Sequence, residues 1–271
     1  MLIHRLRRRI EKSLDWLKGW FHAHITLSWH RLAGKPIRDI TRFARRLPFI
    51  ERREFSQNDE DGIIHAIFAM IGVTNRYYVE FGAEDGVQCN TRALRLFRGW
   101  QGLLLDGEHE DPAINLHRAF ITVENIEELF RQYAVPAAPD ILSIDIDGND
   151  YWVWKAITHW RPRVVIIEYN AHIPPEESRT IPYDPRFLWD KTDYYGASLL
   201  ALKRLGEQKG YALIGTDPHG VNAFFVLREL AKGAFSPPPW PATYHSPAFK
   251  GKQGNAGRHP HDPLGRPWVT V

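Results

Sequence analysis

At 271 residues the chain is long enough to bury one full core, and its 44% apolar and 25% charged residues are ordinary for a globular protein. A single cysteine, Cys89, excludes an internal disulfide framework and a cysteine-based zinc site. The net charge of +3 is uneven: residues 1–53 hold 14 Lys/Arg against 4 Asp/Glu, a net of +10, which leaves −7 for the rest.

Residues 1–53 form a basic extension. Leu6, Ile10, Leu14, Leu17 and Phe21 recur at helical spacing, with Arg7, Arg8, Lys12 and Lys18 on other faces. Two readings stand: a solvated helix packed on the domain or on another subunit, and a peripheral contact with an anionic membrane surface. The longest uncharged stretch here, Gly19 to His30, has 12 residues and three histidines. A membrane span needs about 20 apolar residues, and no clean apolar segment follows the basic start. The expected location is cytoplasmic, with the membrane-peripheral option attached to this arm.

From Ser56 onward, helices alternate with short apolar strands. Asp59–Gly72 reads as a helix, because Ile63, Ile64, Ile67, Phe68 and Ile71 share a face and Gly72 can end it. Strands are expected at Tyr77–Phe81, Gly102–Asp106 and Phe120–Val123, with a helix around Thr91–Arg98. Asn125-Ile-Glu-Glu128 has the form of a capping box. Ile141–Ile146 and Val164–Ile167 suit strands buried on both faces. A helix over Ala197–Lys209 precedes a hairpin, Tyr211–Thr216 and Ala223–Leu227, joined by Asp217-Pro-His-Gly220. Such alternation demands a mostly parallel sheet with helices on both faces. The expected fold is α/β: a three-layer Rossmann-like domain over 54–232, with a mostly parallel seven-stranded sheet ending in an antiparallel hairpin. Residues 233–271 are a tail rich in Pro, Gly and His with no helical or strand period, partly disordered or draped over the domain.

Four strand ends carry the chemistry. In Tyr78-Val-Glu80-Phe-Gly82-Ala-Glu-Asp-Gly86, a strand ends in an acid and enters a turn with glycines four apart. Glycine lets the backbone approach a ligand, and this spacing differs from the Gly-x-Gly-x-x-Gly that makes room for a pyrophosphate. Glu80 suits a cationic amino group. Asp106 ends the next strand, where a carboxylate accepts the hydroxyls of a ribose; the bland alternative is a helix cap. Asp145-Ile-Asp147-Gly148-Asn149-Asp150 and Glu168-Tyr-Asn170 end neighbouring strands, so Asp145, Asp147, Glu168 and Asn170 should converge on one crevice. Buried carboxylates there must be paired, hydrogen-bonded or metal-bound.

Ser56-Gln57, Glu60-Asp61-Gly62, the Glu80–Gly86 turn, Asp145-Ile-Asp147-Gly148 and Ile167-Glu168 together resemble the FkbM-type family of S-adenosylmethionine-dependent methyltransferases, across residues 56–230. The resemblance implies a class I, Rossmann-like fold, S-adenosylmethionine as donor, and O-methylation of a hydroxyl on a sugar, glycan or natural product. It implies that Glu80, Gly82, Ala83 and Gly86 border the methionine part of the donor and Asp106 the ribose. Glu124 or Asn125 would lie near the adenine, and Asp145 is a further donor-binding candidate. Asp147 stands where the family often has Glu. Neither the arm nor the tail takes a function from the resemblance.

Methyl transfer from a sulfonium places an oxygen in line about 3 Å from the methyl group. The acceptor hydroxyl is then deprotonated by Asp147, Glu168 or His172, or polarised by Mg²⁺ or Ca²⁺ held by Asp145, Asp147, Glu168 and Asn170. Ala171 to Tyr195 is a long aromatic- and proline-rich segment placed to act as a lid, or as a packed cover. Nucleic acid is not an expected partner, because no Asn-Pro-Pro-Tyr-like motif follows the fourth strand. The alternative function is a non-catalytic binding or scaffold module on the same fold.

Overall fold

The computed structural model describes residues 34–44, 60–248 and 257–271. The amphipathic pattern from Leu6 to Phe21, the Ser56-Gln57 pair and Asp59 lie outside the described residues. Helices α1 (Ile40–Ala44) and α2 (Glu60–Ile71) precede β1 (Tyr77–Phe81), α3 (Arg92–Phe97) and β2 (Gln101–Asp106). β3 (Leu116–Arg118), α4 (Ile126–Gln132), β4 (Ile141–Ile144), α5 (Asp150–Ala156) and β5 (Val164–Glu168) follow. The chain continues through β6 (Arg179–Thr180), α6 (Leu199–Gln208), β7 (Tyr211–Thr216), β8 (Asn222–Leu227), α7 (Arg228–Ala231) and β9 (Val269–Thr270).

Among the described residues, seven strands form one sheet in the order β3-β2-β1-β4-β5-β8-β7. β1 to β5 run parallel, and β8 runs antiparallel to both of its neighbours. This is the three-layer Rossmann-like fold expected from the strand–helix alternation, with its reversed final hairpin. Side chains alternate between two cores. Val79, Phe81, Leu103, Leu105, Leu142 and Ile144 face α4, α5 and α6. Tyr78, Leu104, Ile141, Val164 and Ile166 face α1 and α2. Both faces are covered, which explains why the strands read as continuous apolar runs.

Three expectations are corrected. The third strand is Leu116–Arg118, paired Leu104↔Leu116 to Asp106↔Arg118, and not Phe120–Val123. The apolar run Phe120-Ile-Thr-Val lies past the sheet's carboxyl edge, and Phe120 is 47% exposed. Asn125 directly precedes α4, but no capping box forms. Its side chain accepts from Thr122 N at 2.8 Å and donates to Phe120 O at 2.8 Å, and Glu128 turns to Arg131. β4 stops at Ile144 because Asp150 captures the amides of Ile146 and Gly148 at 2.9 Å each, pulling them out of the ladder.

α1 packs on β7: Thr41 Oγ1 donates to Thr216 O at 2.6 Å, and a Cβ on Gly215 would meet Ile40 Cγ2 at 2.4 Å. At the other end of the chain, β9 pairs antiparallel with β6. Strands of two residues are too short to show a period in sequence. No described helix is long and apolar enough to cross a membrane.

Strand order reverses between β1 and β4, so their carboxyl ends splay apart. In an open α/β sheet the ligand crevice opens at that point.

Candidate active site

A cleft of about 940 Å³ opens at this reversal point, lined by the ends of β1, β2 and β4, by residues 119–121, and by Phe187–Trp189. Its first wall is the Glu80–Asn90 turn. Gly82 has φ +65°, and a Cβ there would sit 1.6 Å from the carbonyl oxygen of Asp145. Only glycine lets β1 leave the sheet beneath the end of β4. Ala83 N donates to Leu105 O at 3.3 Å, and Gly86 N closes the turn on Ala83 O at 2.8 Å. Glu80 lines the cleft, yet its oxygens already accept from Asn90 N at 2.7 Å, Thr91 N at 3.0 Å and Thr91 Oγ1. It therefore anchors the start of α3 as well as presenting charge. Burial raises its pKa against those hydrogen bonds. Cys89 is buried with its thiol on Ala83 O, and burial pushes that thiol up, so it packs and does not react.

Asp106 ties the second wall to the first. One oxygen accepts from Glu84 N at 2.9 Å; the other accepts from Glu108 N, His109 N and the His109 ring at 2.8–2.9 Å. Burial works to raise its pKa, but these donors outweigh it and hold the carboxylate below its usual range. An ionised strand-end carboxylate with a lone pair remaining on its less-loaded oxygen is the group that a ribose diol needs.

The corrected third strand changes the adenine side. Ala119, Phe120 and Ile121 line the cleft; Glu124 and Asn125 do not. Glu124 instead accepts from Tyr183 Oη at 2.5 Å, and Asn125 braces the loop. Phe120 was hidden in the sequence because a half-exposed aromatic after a strand has no distinguishing pattern.

At the fourth and fifth strand ends, carboxylate oxygens of Asp145, Asp147 and Glu168 all lie within 4.8 Å of one another. Asp147 adopts φ +57°, a left-handed conformation that costs energy for a residue other than glycine. Three carboxylates this close cannot all ionise. Burial, then Asp147 and Asp150, pushes Asp145 well up. Burial, then Asp145, does the same to Glu168. For Asp147, burial followed by Asp150, Glu84 and Asp106 raises the pKa to about 6. Glu168 Oε2 is buried without a hydrogen-bond partner.

Asn170 and His172 are not brought to this cluster. Asn170 is fully buried; its amide donates to Asp193 O and Tyr195 O, and its oxygen accepts from His172 N. His172 Nε2 accepts from His259 N at 3.0 Å, while Nδ1 faces Asn170 Oδ1 at 3.1 Å. Burial, then His259, lowers its pKa to about 4. Both ring nitrogens are therefore turned to structure, away from the cleft.

Residues 171–195 are ordered by the C-terminal segment. Arg266 reaches Asp190 at 2.7 Å and Asp262 at 3.1 Å and lies 4.1 Å over the Tyr194 ring. Asp262 N donates to Asp193 at 2.8 Å, and Arg179 lies 4.8 Å over Trp268. The clasp holds Phe187–Trp189 against the cleft. Arg266→Ala should speed hydrogen exchange across 184–195 several-fold and leave the β1–β2 side unchanged. Unaltered exchange in that segment would show that the clasp is not what orders it.

No family model matches this sequence. No curated protein matches it. Among solved structures, the chain is similar to TnmH, with 14% identity and a TM-score of 0.35 over 56% of this chain and 50% of that one. It is also similar to an O-methyltransferase family protein from Burkholderia thailandensis, with 10% identity and a TM-score of 0.34 over 76% and 70%. A third is NcsB1, an O-methyltransferase from neocarzinostatin biosynthesis, in complex with S-adenosyl-L-homocysteine and 1,4-dihydroxy-2-naphthoic acid. It has 15% identity and a TM-score of 0.31 over 56% and 49%. The chain spans about half the length of TnmH and NcsB1. At such distances the likeness concerns fold alone.

Proposed function

We propose that the chain is an S-adenosylmethionine-dependent methyltransferase that O-methylates a small molecule or glycan, as the FkbM-type resemblance implies. The observation carrying this reading is the continuous wall from the Gly82 turn through Asp106 to Phe120, placed where the strand order reverses. Glu80, Gly82, Ala83 and Gly86 frame the methionine end of the donor. Asp106 holds the ribose hydroxyls, and Phe120 with Ile121 offers an apolar face to the adenine. The methyl group then points toward the ends of β4 and β5.

Asp147, raised to about 6, is ionised at neutral pH and receives the acceptor's proton as the hydroxyl oxygen takes the methyl group and the methyl–sulfur bond breaks onto sulfur. The same oxygen-only set of Asp145, Asp147 and Glu168 fits a hard divalent cation such as Mg²⁺ or Ca²⁺, and the unpartnered Glu168 Oε2 is consistent with that. Such an ion would lower the pKa of the acceptor hydroxyl. Turnover that survives exhaustive chelation favours the base.

Calorimetry with S-adenosylhomocysteine tests the assignment. Binding is expected, and Asp106→Asn should weaken it about 10–100-fold, the worth of a charged hydrogen bond. A protein that takes up no donor, with neither heat nor thermal shift, is a scaffold on this fold and not an enzyme.

A further inference from the structure

The cleft is chemically one-sided. Eight carboxylates line it, and no lysine or arginine among the described residues does. Its one basic ring, His109, is bound to Asp106. The donor brings a sulfonium, an ammonium and a carboxylate, a net of one positive charge, against this wall. Glu80, Asp85 and Asp106 are already engaged by backbone donors and Glu60 by the Asn222 amide, which leaves Glu84, Glu108, Asp145 and Asp147 facing the remaining space.

Two buried amides reinforce the asymmetry. Asn149 is 5% exposed and Asn222 is 3% exposed, and both line the cleft. Asn149 Nδ2 donates to Asp184 O at 2.8 Å, and Asn222 Nδ2 donates to Glu60 Oε1 at 3.1 Å. In both, the carbonyl oxygen Oδ1 is buried with no hydrogen-bond partner. A buried acceptor left unmade costs about 1–3 kcal/mol, so each one calls for a donor from whatever fills the cleft. Asn149 is two residues from Asp147, its neighbour Gly148 lies against the Phe187 ring, and it lines the same cleft as Phe187, Leu188 and Trp189. The Trp189 ring is fixed there by its Nε1 donating to Thr192 O at 2.8 Å. A tryptophan lining the same cleft as carboxylates and an open carbonyl suits an organic ammonium.

We infer that the acceptor is cationic: a polyhydroxylated molecule carrying a protonated amine near the hydroxyl that is methylated, as in an amino sugar or aminocyclitol. The ammonium sits between Asp147, the Asn149 carbonyl and the Trp189 segment. Phosphorylated and carboxylated acceptors are rejected by the same wall. This inference rests on the methyltransferase reading, and it names the substrate class for that site.

The test uses the full chain saturated with S-adenosylhomocysteine, so that donor uptake is established first and independently. Three matched pairs are titrated at low salt: glucosamine against glucose, 2-deoxystreptamine against inositol, and ethanolamine against ethylene glycol. Glucose 6-phosphate is the anionic control. At least a ten-fold preference for the amine is expected in the sugar or cyclitol pair, shrinking as NaCl is raised, with no binding of the phosphate. Asn149→Leu should cut the amine preference several-fold while donor affinity stays intact. Trp189→Leu gives the same reading if Asn149→Leu fails to fold. Three outcomes overturn the inference. They are no amine preference in any pair, binding of glucose 6-phosphate as tight as that of glucosamine, or stabilisation by MgCl₂ alone with no amine preference, which would give the acidic cluster to a metal. Failure to bind S-adenosylhomocysteine overturns the methyltransferase reading instead.

Discussion

Gly82→Ala eliminates donor binding and destabilises the protein far more than Gly86→Ala or Gly99→Ala. All three glycines have positive φ, at +65°, +77° and +64° respectively, so each alanine carries a backbone cost of roughly 1–2 kcal/mol. Gly99 has nothing within 4 Å of its missing Cβ, so its variant isolates that cost. At Gly86 the new methyl would meet Ile114 Cδ1 at 2.4 Å, the movable end of a side chain. Overpacking of that kind costs about 1–3 kcal/mol more. At Gly82 it would meet a backbone carbonyl at 1.6 Å, which cannot turn away without displacing the end of β4. A cost above about 4 kcal/mol is expected, in the range that marks a broken backbone contact. The same displacement pulls Asp145 and Asp147 from their places and opens the wall that frames the methionine end. S-adenosylhomocysteine affinity should fall at least about 100-fold, while Gly99→Ala binds as the parent does. Equal melting temperatures and equal affinities for the Gly82 and Gly99 variants would mean that the β1–β4 junction does not shape the cleft.

That junction was the most legible part of the sequence. Strands buried on both faces announce themselves as apolar runs, and Glu80, Asp106, Asp145 and Glu168 stand out because acids at the ends of such runs are costly. The convergence of Asp145, Asp147 and Glu168 followed from strand adjacency, while Asn170, expected with them, does not join them. What stayed hidden was decided by tertiary geometry. Leu116–Arg118 became the third strand because three residues sufficed to complete the edge, while the more strand-like Phe120-Ile-Thr-Val was needed to turn over the cleft. Asn170 and His172 have the composition of a site, yet hydrogen bonds to the carbonyls of residues 193 and 195 and from the amide of residue 259 commit them to holding the 171–195 segment. Asn149 and Asn222 gave no signal, since an unsatisfied carbonyl exists only once its surroundings are assembled. Glu60 stood in the sequence only as part of the Glu60-Asp61-Gly62 motif with no role attached, and the packing of α2 places it in the cleft wall. The tail is similar: Arg266 is one basic residue among many until Asp190, Asp262 and Tyr194 surround it.

Between pH 8 and pH 6.5 the ligand-free protein gains stability as the pH falls. Asp217, fully buried at the β7–β8 turn, is the clearest source. Burial, then the nearby Glu60, raises its pKa to about 7 despite the amides of Asn222, His219 and Val221. Burial also pushes Asp145 and Glu168 well up, with Asp147 and Asp150 adding to the shift of Asp145 and Asp145 adding to that of Glu168. In the unfolded chain these carboxyls titrate near 4 and have lost their protons throughout this window. The folded protein keeps protons that the unfolded chain has released, so stability is lost as pH rises through the folded pKa. Each retained proton contributes about 1.4 kcal/mol per pH unit. On the order of 2 kcal/mol across the window follows, a rise in melting temperature of about 5 °C. Buried histidines end the gain. His172, lowered to about 4, and His259, also lowered, are neutral when folded but take up protons when unfolded below about pH 6.5, so they act in the opposite direction there. Asp106 and Asp140, whose folded values are depressed, lose their contribution only at still lower pH. A cationic occupant reverses the argument, because a positive charge in the cleft favours ionised neighbours and expels their protons. Saturating S-adenosylmethionine should therefore flatten the slope, which melting curves in matched buffers at pH 6.5, 7.2 and 8.0 would read directly. A melting temperature that climbs from pH 6.5 to pH 8 without ligand would mean that these buried carboxylates are already ionised in the folded protein.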